Sequence, residues 1–285
     1  MLGGRTVKNI DLMRICILLF VFFFILPKHS FAQRGEPYQG GATPWESPTQ
    51  GFPGYFDTNM VAEGGFVTEF PPVIIILPTP FLAFDYGVTD TLTVGTNAIF
   101  STLPWILGGV GASVKVRSLM YGTESNQSAA TYYGGYLASY KGSPIKAYYQ
   151  LMTWNHAYRP ISRHTIYGHA HYTRINVEIG QESSLDRMSA SQTSLMIGGG
   201  YSFDINSAWT IRGNALIPTI QSLDLDTSSM TATQSQLIGQ SGSVLGVVQT
   251  EFKSSEQALW GIGLTNVTLN DSRATIPWIT LAIKW

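Results

Sequence analysis

Residues 275–285 constrain the chain more than any other stretch. Ile279, Leu281, Ile283 and Trp285 are apolar, and Thr280, Ala282 and Lys284 between them are polar or small. A period of two gives a strand one greasy face and one that is not. The stretch finishes on an aromatic with no polar tail. A soluble sheet rarely ends a strand on an exposed tryptophan, whereas an aromatic at a water–lipid boundary is well placed. The expectation is a strand with one side in lipid.

Composition agrees with strands and not with spanning helices. Charged residues are 12% of the 285, about half the usual share of roughly 25%. Tyr and Phe number 14 each, Trp 7 and Gly 29. Beyond residue 32 no apolar run approaches the roughly 18–20 residues of a membrane helix. The longest, Val73 to Leu77, is closed by prolines on both sides.

Residues 1–32 read as a cleaved secretory signal. Arg5, Lys8 and Arg14 precede the apolar run Ile15 to Leu26, and Ser30-Phe31-Ala32 offers small residues at the cleavage point. The sole cysteine, Cys16, lies inside that run, so the mature chain has no disulfide or thiol chemistry. Loss of the leader takes the 17 basic and 18 acidic residues to 13 and 17, a net charge of −4. Nucleic acid is not an expected partner. Residues 33–59 are Gly- and Pro-rich without a period, and read as a flexible periplasmic segment or, alternatively, a plug folded into a pore.

From residue 60 onward, short alternating runs are joined by turns. The clearest is Tyr86-Gly-Val-Thr-Asp-Thr-Leu-Thr-Val-Gly95, with Thr89-Asp90 at the tip of a hairpin. Two later hairpins, across 202–209 and 252–260, repeat the layout. Aromatics flank these turns: Tyr86, then Phe203 and Trp209, then Phe252 and Trp260. With Trp285 they form a candidate interfacial girdle at one height. The terminal stretch resembles the C-terminal signal strand of bacterial outer-membrane β-barrels, and the 86–95 phrase resembles the periplasmic turn of transporter-like barrels of that superfamily. The resemblance implies residence in the bacterial outer membrane, contact with its lipid, and handling by the barrel-assembly machinery through the last strand.

The fold expected is all-β: a transmembrane antiparallel up-and-down barrel over residues 60–285. Twelve strands are expected, at 60–70, 80–88, 91–100, 107–118, 129–140, 144–155, 164–180, 193–203, 209–218, 243–252, 258–269 and 275–285, with ten or fourteen as alternatives. The longest outer loop, 219–242, is hydrated, and its flanks could extend the neighbouring strands. Alternation then sorts side chains. Val110, Ala112, Val114 and Val116 toward lipid put Lys115 and Arg117 inward. Ile175, Val177 and Ile179 toward lipid put Arg174 and Glu178 inward and place His169 and His171 on the outer face. Asp85, Lys146, Arg212 and Glu251 point inward by the same rule, with Glu63 and Glu69 less firmly phased. An Arg or Lys facing mid-membrane lipid costs about 2–4 kcal/mol, which favours the inward choice.

Opposed lumen charges have two readings. One is a narrow water-filled channel passing small hydrophilic solutes; the other is a structural or surface-interaction barrel whose lumen is closed by salt bridges. The channel is the working expectation. His169 and His171, about 7 Å apart on one strand face, are weak metal candidates without a third ligand, so no metal and no cofactor is assigned. A lipid hydrolase is the remote alternative. There is no Gly-x-Ser-x-Gly elbow, and the mature histidines sit near the inner end, so no catalytic residue is assigned and the chain is not expected to be an enzyme.

Overall fold

Alternating side chains cannot bury one face each in isolation; closing the sheet on itself lets the two faces meet two different solvents. A computed structural model describes residues 47–70, 83–97, 108–123, 125–139, 145–180, 188–227, 230–236, 244–269 and 272–285. The expected signal at 1–32, residues 33–46 of the Gly- and Pro-rich segment, the expected outer loops 71–79, 101–106 and 141–143, and parts of the remaining outer loops lie outside these.

The strands run in chain order: β1 (Phe66–Phe70), β2 (Ala83–Thr89), β3 (Leu92–Asn97), β4 (Gly109–Gly122), β5 (Asn126–Ser139), β6 (Ile145–Ile161) and β7 (His164–Ile179). They continue with β8 (Met188–Asp204), β9 (Trp209–Thr227), β10 (Met230–Gln236), β11 (Val244–Ser255), β12 (Ala258–Leu269) and β13 (Ser272–Lys284). Every pairing is between antiparallel neighbours, and β13 pairs β1 to close the ring. β10 and β11 share one side of β9, β11 along 209–216 and β10 along 221–227. They occupy one place in the wall, so the barrel has twelve staves. The 219–242 region is thus not a simple loop: its flank continues β9 and folds back as β10.

Boundaries differ where polar residues continue the alternation. β6 reaches Ile161, so a two-residue turn, Ser162-Arg163, replaces the long inner turn expected at 156–163. The first stave begins at Phe66 and not at residue 60. Residues 62–65 are a turn in which Gly64 has φ +75° and Gly65 donates to the Ala62 carbonyl. Glu63 is therefore an exposed rim residue and not a lumen charge; its backbone N–H donates to Asp90 Oδ1.

That turn is needed because residues 47–61 lie inside the barrel. The segment enters at the end that carries the tight turns, where Ser47 donates to Asp204 and the Gln50 carbonyl accepts from Lys284. It is deepest at Tyr55 and Phe56, then returns to the same end, where Val61 N–H donates to Thr93. Phe52 and Val61 pack with Val67 and Leu259 near the mouth. Phe56 packs with Met196, Leu216, Leu245, Val247 and Trp278 further in. Fully burying an aromatic or branched aliphatic side chain is worth about 1.5–3 kcal/mol each, so the segment is held by a core of its own.

Outside, Val110, Val114, Ile197, Ile211, Ile217, Val248, Ile262, Leu264 and Ile279 are exposed, an apolar belt that a water-facing sheet would not carry. At the tight-turn end Trp209 lies directly opposite Phe252 with ring centroids 4.5 Å apart, and Phe252 opposite Trp260. Tyr86 stands opposite Phe66, and Phe203 lies against His164. Trp285 donates from its backbone to Phe66 O and from Nε1 to Thr68. The chain is an outer-membrane β-barrel, with its tight turns at the periplasmic end as is usual for such barrels.

Candidate functional site

Inward positions of five staves, β1, β2 and β4 on one wall and β9 and β11 on another, converge with the inner segment. Lys115 on β4 pairs with Asp85 on β2 and lies 3.5 Å from Glu69 on β1. Two residues along, Arg117 Nη1 meets Asp57 Oδ1 at 3.2 Å. From the other side of the lumen, Arg212 on β9 meets Asp57 Oδ2 at 3.4 Å and Glu251 on β11 at 3.4 Å. Charges of opposite sign thus alternate across the barrel, and Asp57 of the inner segment is the link between two walls. All seven side chains are buried or nearly so.

Asp57 is fixed before it meets either arginine. Its carboxylate accepts from Gly54 N–H at 2.9 Å and from Asn59 N–H at 3.0 Å, the local turn that aspartate favours. Arg117 returns the contact: Nη1 donates to Asn59 O at 2.8 Å, Nη2 donates to Gly54 O, and Nε donates to Thr131 at 3.0 Å. A planar fork with five donors suits this task; a lysine could not reach three such acceptors. Lys115 also sits over the Tyr133 ring and Arg212 over that of Tyr167.

Above the ions comes a layer of rings and amides. Asn155 on β6 donates both amide hydrogens to the segment's carbonyls, Tyr55 O at 3.0 Å and Asp57 O at 3.1 Å. Its Oδ1 is left as an acceptor for His169 Nδ1–H at 2.9 Å and His171 Nε2–H at 3.3 Å. Phe56 packs against both imidazoles and Tyr55 against that of His171. These histidines are buried and face inward, against the outward phase expected for them. Among the described residues no three His, Cys, Asp or Glu are grouped to hold a metal. His169 and His171 act here as aromatic, hydrogen-bonding walls for the segment.

The same phase correction moves three expected lumen charges. Pairing of β7 is unbroken with β6 from Ile166 (opposite Tyr158) and with β8 from His164 (opposite Phe203) through to Ile179, so residues 169, 171, 173, 175, 177 and 179 share one face. Arg174 and Glu178 are therefore on the outer face, and so is Lys146, which stands opposite Glu178. Apolar residues need not mean lipid: in this part of the wall Ile175, Val177 and Ile179 face the lumen. Asp85, Lys115, Arg117, Arg212 and Glu251 face inward and belong to the ion layer.

Asp57, Tyr55, Phe56 and Asn155 were not singled out in the sequence. The available signal was Phe52, Tyr55 and Phe56 within a Gly/Pro-rich stretch; a solvated linker has little reason to carry aromatics so densely. On the periplasmic side of the segment is a polar cavity of about 780 Å³, lined in part by Gln50, Asn59, Arg159, Lys253 and Lys284.

No family model and no curated protein matches the chain. Solved structures that resemble it include outer-membrane proteins and an autotransporter translocator domain. The outer-membrane expressed OmpT of Vibrio cholerae aligns at 11% identity over 72% of this chain and 64% of that one, TM-score 0.36. The translocator domain of the autotransporter NalP from Neisseria meningitidis aligns at 11% identity over 77% and 84%, TM-score 0.41. Omp33 of Acinetobacter baumannii aligns at 9% identity over 78% and 96%, TM-score 0.25. The chain thus spans less than two thirds of the OmpT chain. The outer-membrane assignment rests on this barrel's own closure, belt and aromatic rows.

Proposed function

We propose that this chain is an outer-membrane transport barrel for a small solute, held closed at rest by residues 47–61 and conducting when that segment moves. The observation that carries the reading is Asp57, which ties Arg117 and Arg212 together across the lumen. A wall that needed only salt bridges for its own stability could have paired these arginines with acids from neighbouring staves, as Arg212 does with Glu251. No bond-making chemistry belongs to the reading. The solute class is not carried over from the hydrophilic expectation, because the outer half of β6–β8 has an apolar inner face.

The second reading is a permanently closed structural barrel. It is favoured by the apolar clusters that join Phe52, Val61 and Phe56 to the wall. Planar-bilayer recording separates the two. The transport reading expects the intact mature protein to be closed for most of the record. Asp57→Ala, and separately deletion of residues 47–61, should then raise the open fraction and give discrete steps. Inserted, heat-modifiable barrels that stay silent in both variants would leave the structural reading standing.

A further inference from the structure

Inward alternation runs past the aromatic rows into the periplasmic mouth. Arg159 continues the inward set of Asn155 and Ala157 on β6, Lys253 that of Glu251 on β11, and Lys284 that of Trp278 on β13. All three line the polar cavity of about 780 Å³, a size within the roughly 300–1,000 Å³ of small-molecule sites. The inner segment contributes Gln50, Gly51, Thr58 and Asn59 to the same lining, so the cavity is a bowl with that segment as its floor. β6 and β13 are diametrically opposed, six staves apart by either route round the ring. Arg159 therefore stands across the mouth from Lys284. The acids of the lining, Asp90 and Glu256, come from turns and not from inward strand positions. Asp90 accepts from Glu63 N–H at 3.2 Å, and Glu256 is 88% exposed in a weak pair with its near neighbour Lys253.

The cations are positioned. Lys284 Nζ donates to Gln50 O at 3.1 Å and lies 4.1 Å from the centroid of the Phe52 ring. Gly51 permits that approach: its φ is +73°, and a Cβ there would come within 2.8 Å of Nζ. Arg159 donates from Nε to Thr165 at 3.4 Å and makes no ion pair among the described residues. Its planar fork suits a carboxylate or a phosphate. Gln127 accepts from Thr58 at 3.0 Å, which leaves its amide hydrogens as donors at the floor.

We infer that this periplasmic bowl binds a small hydrophilic dianion, with an oxyanion (carboxylate or phosphate) at each of two ends. One end meets Arg159, the other Lys253 and Lys284, and the body between them lies over the inner segment. Two ends are called for because the cations stand on opposite walls, and a single oxyanion reaches only one of them. The bowl faces water and is formed with the inner segment in place, so the inference goes beyond the transport reading and holds for a conducting and for a closed barrel. Residues 33–46 join the described chain at Ser47, on the lining of the bowl, and carry Glu36 and Glu46. They are the competing occupant.

The test is isothermal titration calorimetry of the intact mature barrel in lipid nanodiscs, with fructose 1,6-bisphosphate and adipate as probes. One or both should saturate at one ligand per barrel, with a Kd at least tenfold below that of the one-ended analogues, fructose 6-phosphate and 6-hydroxyhexanoate; the tighter probe names the oxyanion. Binding should weaken as salt rises. Arg159→Gln and Lys253→Gln, each checked for heat-modifiable migration, should raise Kd about tenfold or more, the effect of losing a charge-assisted hydrogen bond. Lys146→Gln, at the other end and on the outer face, should leave it unchanged. A variant lacking residues 33–46 should bind with the Kd of the intact protein. No saturable heat from either probe overturns the inference. So does a one-ended analogue that binds as tightly as its two-ended probe, or a Kd indifferent to Arg159→Gln in a folded barrel. Binding seen only after removal of residues 33–46 overturns it too, and assigns the bowl to the chain's own segment.

Discussion

Asp57 is a single carboxylate with two guanidinium partners and two backbone donors, all inside the barrel. Removing one partner of a buried charge pair is expensive, about 3–5 kcal/mol, because the other charge stays buried. Asp57→Ala should lower the temperature at which the barrel loses its heat-modifiable migration, and Asp57→Asn, which keeps acceptor capacity, should lower it less. Equal midpoints for wild type and Asp57→Ala would mean that the segment is not under load. Gly95 tests the neighbouring ions. A Cβ there would run into the Asp85 carboxylate and the Phe84 carbonyl. Gly95→Ala should therefore destabilise the barrel by more than Gly213→Ala, where nothing lies in the way; the two melting midpoints decide.

At the scale of elements, the polar residues on the outer face of β6–β8, Lys146, Asn176 and Glu178 among them, should stand clear of the bilayer. Because the only cysteine is Cys16, in the expected leader, single cysteines report cleanly. Asn176→Cys and Glu178→Cys should react with a hydrophilic maleimide in nanodiscs, and Ile197→Cys and Ile262→Cys in the belt should not. Protection at 176 and 178 would put these residues in lipid. β13 carries a different expectation: deleting Trp285 removes its contacts with Phe66 and Thr68 at the seam, and should slow assembly in purified barrel-assembly liposomes. Much of this architecture was legible beforehand, because lipid on one side enforces strict alternation: the tight turns, the twelve staves, Lys115 and Arg117 inward. The phase of β7 was not. Its apolar residues 175, 177 and 179 were assigned to lipid, which holds only where lipid is present. On β7 the pairing puts 175, 177 and 179 on the same face as His169 and His171, so there the apolar phase marks the lumen side.

For the whole molecule, the interior contacts of residues 47–61 were out of reach of periodicity, since they join positions such as 57 and 212 that only a closed ring brings together. The segment should be protected with the barrel: limited proteolysis of folded protein should spare residues 52–61 and cut them quickly once Asp57→Ala has loosened them. Both ends of that segment leave through the same mouth, Ser47 beside Asp204 and Val61 beside Thr93. The polypeptide thus forms a tucked tongue and never a thread drawn through the hoop. It can slide out toward the cell interior without any stave parting from its neighbour, so a pull applied from inside the envelope can unstopper the barrel while the seam between β13 and β1 stays shut.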